Sequence, residues 1–192
     1  HHELQEEIPP ADVVVNPHQK DCPYPYKNLC GAGVAWKLVS ALWEQLRVPE
    51  QELYEDLLLF AGFATVGDVM DLTGENRILV KEALKLLKTT SHPGISALIE
   101  VNEISRETIS AFHIGFVLGP CINASGRLDT AKRALELLKT TDYEKALVKA
   151  AELNVLNDER KSMTDDGVQQ ALDQIENSDM KGDRVLVIYL PD

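Results

Sequence analysis

From Asp142 to about Asn177 the chain contains no proline, and Tyr143, Ala146, Ala150, Leu153, Leu156 and Met163 begin an apolar pattern that continues through Val168, Ala171, Leu172 and Ile175. Spacings near three and four are the period of an α-helix. At 1.5 Å per residue, one unbroken helix over this segment would be roughly 50 Å long. Such a rod separates a body, formed by the residues before it, from whatever follows. In its middle, Asn157-Asp158-Glu159-Arg160-Lys161 is highly charged and reads as a solvated face.

The body reads as mostly helical. Gly31-Ala32-Gly33 opens a helix to about Arg47, with Val34, Leu38, Ala41 and Leu42 at helical spacing. Leu53 to Thr65 is apolar on most sides, the pattern of a buried helix. Ile78 to Leu87 is amphipathic, His92-Pro93-Gly94 breaks it, and Ile95–Val101 and Thr108–Phe112 follow as short helical pieces. A further helix is expected over Asp129–Leu138, with Asp129 as its N-cap. Two short strands are expected. Val13–Val15 is ended by Asn16-Pro17, and Arg184–Tyr189 is a strand by composition. The fold class expected is therefore α/β, mostly helical.

Composition excludes several functions. Of the 192 residues 44% are hydrophobic, enough for a sizeable core. No apolar run approaches a membrane span, and the polar, acidic start is not a secretory leader. Three cysteines, Cys22, Cys30 and Cys121, make an odd count without a CxxC pair. That speaks against a disulfide framework or zinc site and for a reducing, cytoplasmic setting. The net charge of −12 speaks against strong electrostatic binding of DNA by this chain alone. It fits a small phosphate-handling site on an acidic body.

The candidate for such a site is Ile114–Leu128. An apolar run ends in Gly119-Pro120, a polar turn with Asn123, Ser125, Gly126 and Arg127 is expected next, and the helix pattern resumes at Asp129. A glycine-framed loop carrying Asn123 and Arg127 into a helix N-terminus is one way to cradle an anion. A buried turn with one solvated arginine fits the same residues. Gly31-Ala32-Gly33 lacks the lysine and hydroxyl residue of a phosphate loop. Tyr24 and Tyr26, in the proline-containing loop His18–Asn28, suit either base stacking or covering a core edge. Asp68 taken alone is one acid among 31. His1-His2 matches a tag remnant as well as a ligand pair, and His113 stands beside the central stretch.

Several of these stretches together resemble the RecJ family, single-strand-specific 5′→3′ exonucleases within the DHH phosphoesterases. Leu118-Gly119-Pro120, Asn123-Ala124 and Gly126-Arg127 resemble its signature loop. Ala64-Thr65-Val66-Gly67-Asp68-Val69 with Gly74-Glu75-Asn76-Arg77 is similar to its fifth motif. His1-His2-Glu3, Ala11-Asp12 and Asn16-Pro17 resemble the segment opening with the Asp-His-His motif, here without its Asp. The resemblance implies metal-ligand roles for His1 and Asp68 and a catalytic contact of His2 with the scissile phosphate or a metal. It also implies phosphate binding by Asn123 and Arg127. It implies two Mn²⁺ or Mg²⁺ ions, single-stranded DNA as substrate, and other recombination or repair proteins as possible partners. It further implies three parts. Residues 1–141 would be the end of a parallel-sheet catalytic domain with a helical cluster, 142–178 a linker helix, and 179–192 the start of a second catalytic subdomain. On that reading the chain is an internal piece of a catalytic core. Acidic ligands are expected upstream of His1 and basic loops downstream of Asp192, so the piece alone is expected to be inactive. Two rivals are another DHH enzyme, acting on oligonucleotides, cyclic dinucleotides or pyrophosphate, and a non-catalytic RecJ-like scaffold.

Overall fold

A computed structural model describes residues 2, 10–47, 52–178 and 182–190. Its regular elements are α1 (Gly31–Leu46), α2 (Glu52–Gly67), α3 (Gly74–Thr89), α4 (Pro93–Val101), the short α5 (Ala111–His113), a π-helical turn (Ile114–Leu118), α6 (Gly119–Leu128), α7 (Lys132–Lys139) and α8 (Tyr143–Glu176). Helix starts follow local chemistry. Cys30 Sγ accepts from the Gly33 N–H to cap α1, His92 Nδ1 caps α4 ahead of Pro93, and the Asp142 carboxylate accepts from the Lys145 N–H to cap α8.

The antiparallel pair α2 and α3 packs without side-chain spacing at one point: a Cβ on Gly62 would sit 2.3 Å from Ala83 Cβ. Around α2, the helices α4, α6, α7 and the first half of α8 enclose one core, which includes Leu59, Leu98, Ile114, Leu118, Leu137 and Leu153. The segment from Asp142 to Asn177 is a single helix of 34 residues with Asn177 at its C-cap. Only its first half is buried, at Ala146, Ala150, Leu153 and Asn157. Beyond Asn157 it runs along the surface, and the C-terminal segment lies back against it, with Leu190 Cδ1 3.6 Å from the position a Cβ on Gly167 would take.

Apart from the piece expected over Thr108–Phe112, which is helical only from Ala111 on, the structure corrects the expected elements in three places. First, neither Val13–Val15 nor Arg184–Tyr189 forms a strand, and the regular elements of the described residues are all helical, so the sheet of the expected α/β class is not among them. A β-branched run becomes a strand only when a neighbour pairs its backbone groups, and none does so here. Second, the stretch from Gly119 to Leu128 is helix, not turn. Proline normally ends a helix, because its ring meets the carbonyl four residues back. Here the turn before Pro120 widens to π geometry, with the Gly119 N–H bonding Ile114 C=O, and the helix continues. Glycine is required at that point, since a Cβ on Gly119 would lie 2.7 Å from the Ile114 oxygen. Third, Asp129 ends α6 instead of starting the next helix, and pairs with Arg133 at 2.5 Å.

Candidate active site

Two adjoining cavities meet where the end of α2 faces the start of α6. The first, about 510 Å³, is lined by Cys30, Gly31 and Ala32 at the start of α1, by Gly67 and Asp68 at the end of α2, and by Gly119 and Asn123 on α6, with apolar residues of the core behind. The second, about 210 Å³, is lined by Gly67, Gly115, Gly119, Pro120, Asn123, Arg127 and Arg160. Gly67, Gly119 and Asn123 belong to both. The helices approach closely there because both contact positions are glycine, the ideal Cβ position of Gly119 lying 3.9 Å from Gly67 Cα.

Each candidate side chain has a local reason for its place. Asn123 and Arg127 are four residues apart on α6, hence on one face. Both are exposed. The anion cradle expected at a helix N-terminus after Arg127 is not formed; Arg127 lies in the last turn of α6. The N-terminal end that does face the first cavity is that of α1, whose backbone N–H groups carry partial positive charge. Asp68 closes α2. Its own N–H still bonds Ala64 C=O at 2.8 Å, then Val69 turns left-handed with φ 55°, and the Met70 N–H reaches back to Thr65 C=O at 3.1 Å. This closure leaves the Asp68 side chain exposed at the cavity edge.

The structure thus brings Asp68, Asn123 and Arg127 to one surface. His2 is exposed, and its carbonyl accepts from Asn16 Nδ2 at 3.0 Å. The role expected of His1 falls outside the described residues. Among the described residues no group of three or more His, Cys, Asp or Glu stands close enough to hold a metal ion. One carboxylate at the cavity edge is not by itself a metal centre, so no reaction step follows from a metal on these residues alone.

Arg160 was not singled out by sequence; it sits in the charged stretch read as a solvated face. It is half-buried, and its Nε and Nη2 both donate to Asn157 Oδ1 at 3.2 Å. Asn157 is buried, with Nδ2 donating to Cys121 Sγ at 3.6 Å. The available signal was Asn157 and Arg160 one turn apart on a helix otherwise solvated from that point. The other candidates have structural roles. Tyr24 donates to Glu75 at 2.7 Å and Tyr26 to Thr73 C=O at 2.8 Å, so their loop is pinned to the start of α3. His113 Nδ1 accepts from the Ser110 N–H at 3.2 Å and completes a capping box. A larger open cleft of about 930 Å³, beside Asp56, Glu82 and His92, contains none of the candidate residues. Its size reflects the gap between α2, α3 and the start of α4 and not a converging set of chemical groups.

No protein-family profile matches the chain. Solved structures and curated sequences do. The fold matches the crystal structure of RecJ in complex with Mn²⁺ from Thermus thermophilus with a TM-score of 0.77 at 35% identity, over 92% of this chain and 26% of that one. The Mg²⁺ complex from the same organism matches with a TM-score of 0.68 at 36% identity, over 77% and 23%. The helical fold is therefore similar to part of the RecJ structures. The single-stranded-DNA-specific exonuclease RecJ of Dickeya dadantii is 38% identical over 172 residues, 85% of this chain and 30% of that protein. Over its own length the chain is similar to a segment of the RecJ exonucleases. It spans between 23% and 35% of the length of the curated RecJ relatives it matches.

Proposed function

We propose that the chain forms part of the catalytic core of a metal-dependent 5′→3′ exonuclease for single-stranded DNA, acting in recombination and repair in the cytoplasm. The observation that carries this reading is the shared wall of the two cavities: Asn123 stands between Asp68 on one side and Arg127 with Arg160 on the other. A phosphodiester held by guanidinium groups beside a carboxylate that can ligate a cation is the arrangement two-metal hydrolysis needs. Arg127 and Asn123 bind phosphate oxygens, and the N-terminal end of α1 adds partial positive charge. Asp68 supplies one ligand to Mn²⁺ or Mg²⁺, and His1 and His2 join it as ligand and phosphate contact. The remaining carboxylates come from residues outside this chain. The relatives' greater length supports that division, with residues 1–141 finishing a sheet-containing domain, 142–178 linking, and 179–192 opening the next subdomain. Recombination or repair proteins would meet the longer protein. No described helix is long and apolar enough to cross a membrane.

The test is Arg127→Ala in the longer protein that carries this segment. Removing a charge-assisted bond to a phosphate in the transition state costs about 2–4 kcal/mol, or roughly 30- to 1000-fold in rate. Exonuclease turnover on a labelled oligonucleotide should fall by that factor while the circular dichroism spectrum stays unchanged. Unchanged turnover would remove Arg127 from the site.

A further inference from the structure

We propose that Phe112 and Phe116 form a stacking platform for the bases of single-stranded nucleic acid whose phosphates occupy the Arg127–Arg160 cavity; this rests on the reading of that cavity as a phosphate site. The chain has four phenylalanines. Phe60 and Phe63 pack in or against the core, whereas Phe112 and Phe116 are 61% and 71% exposed. Burial of a phenylalanine is worth about 1.5–3 kcal/mol, so two side by side in water mark a surface that something covers.

These rings are not loose. They stack on each other with centroids 5.0 Å apart and planes 26° from parallel. His113 holds Phe112 edge-on at 5.8 Å, and its own ring is fixed by the Ser110 capping box. The pair spans the start of the π-helical turn, a distortion that recurs at functional positions in helices. Widening that turn buries Ile114 and Leu118 and leaves Phe116 outside. A flat, rigid aromatic face of this kind takes any base, because every base has a π-face.

The position selects the occupant. Phe112, Phe116 and Pro120 follow at intervals of four, and Pro120 lines the arginine cavity. Gly115, next to Phe116, lines it too. Along the helix, Phe116 stands about 10 Å from Asn123, at 1.5 Å per residue, a reach that a few nucleotides of single strand cover. Whatever covers the phenylalanines must carry apolar flat groups and, a short distance away, negative charge for two guanidinium groups. The body of this chain is acidic, with a net charge of −12, so a second copy supplies charge of the right sign but no ordered alternation of rings and anions. A single strand supplies both.

The experiment is fluorescence anisotropy at low salt and without divalent metal. The probes are a short 5′-phosphorylated oligothymidylate and a backbone of equal length lacking bases. The chain should bind the oligothymidylate on the order of tenfold more tightly than the baseless strand. In Phe112→Ala/Phe116→Ala that preference should vanish while the baseless strand binds as before, and Phe116→Trp should retain it. Arg127→Ala should weaken both strands equally. Equal affinity of the parent for the two strands, or a double variant that loses both alike, would overturn the platform while leaving the phosphate site standing. Failure of the parent to bind either strand would overturn both readings. A dimer in sedimentation that the double variant dissociates would assign the rings to a contact between copies and equally overturn the platform.

Discussion

Replacing Val69 with glycine should make this chain more stable. Val69 holds φ at 55° as the residue that closes α2. Its N–H bonds Val66 C=O at 3.1 Å, and the next N–H, that of Met70, bonds Thr65 C=O at 3.1 Å. That pair of bonds is the Schellman closure, whose left-handed position is usually glycine. A side chain there brings Cβ against the following carbonyl at about 1–2 kcal/mol, and a β-branched one is the least suited to it. The valine side chain is 88% exposed, so its removal forfeits almost no burial. Glycine does loosen the unfolded chain, which costs roughly 0.5–1 kcal/mol. The balance is a gain of about 0.5–1 kcal/mol, equivalent to ~1–4 °C in Tm for a chain of this length. Urea unfolding followed by far-UV circular dichroism reads it as a higher midpoint at unchanged slope. Val69→Ala keeps the Cβ and should gain less than the glycine variant. A glycine variant with an equal or lower midpoint would refute the strain at this closure. The closure matters because it sets where Asp68 points, and strained residues persist where the surrounding structure over-determines them.

Two further outcomes are expected. Burial alone would raise the Glu75 carboxyl, but hydrogen bonds from Lys37 and Tyr24 outweigh it and hold the group below the ordinary glutamate range. A depressed folded value means stability that is present above the unfolded value of ~4.3 and lost as pH falls through the lower folded one. Glu75→Gln should therefore be less stable than the parent near neutrality, with the two converging in acid; a difference in unfolding free energy that is constant with pH would exclude the ionic contact. Separately, the 192-residue chain by itself should leave a labelled single-stranded oligonucleotide intact in Mn²⁺, since holding two cations takes several carboxylates and, among the described residues, Asp68 is the one carboxylate lining the cavity. Manganese-dependent shortening that Asp68→Asn abolishes would show the site to be complete without other chains or segments.

Most helices were legible because their apolar residues repeat at 3.6, and the long one was bounded by its own caps, Asp142 and Asn177. Gly119-Pro120 misled for a physical reason. A glycine followed by a proline ordinarily marks a break, and only a widened turn with the Ile114 carbonyl pressed against Gly119 lets the helix pass. The two valine-rich runs misled differently: composition states a preference for strand, but pairing decides it. Asn123 and Arg127 were singled out by motif, and the helix that replaces the expected turn explains why they share one face. Phe116 was hidden inside an apolar run, where nothing local distinguishes a core residue from one the π turn expels. Arg160 was hidden among charges, and only the fold shows that its neighbour Asn157 is buried.

That buried amide bears on how a surplus of negative charge could coexist with the proposed phosphate site. Asn157 is the last buried residue of α8, beyond which the helix meets solvent. A buried amide must satisfy its polar atoms. Asn157 does so by donating to Cys121 on α6 and by accepting two bonds from Arg160. Burial pushes the Cys121 thiol pKa up, which keeps that group neutral and lets it take the amide without adding charge. The contact therefore ties the long helix to the helix that carries Asn123 and Arg127. It also turns the Arg160 guanidinium toward the same cavity, and does so at the point where the long helix leaves the core. On the reading proposed above, Arg160, fixed by its bonds to Asn157, and Arg127 beside it on the cavity wall would hold a phosphate locally, whatever the charge of the rest. Distant acids are screened over about 10 Å at ordinary ionic strength, whereas groups lining one small cavity are not.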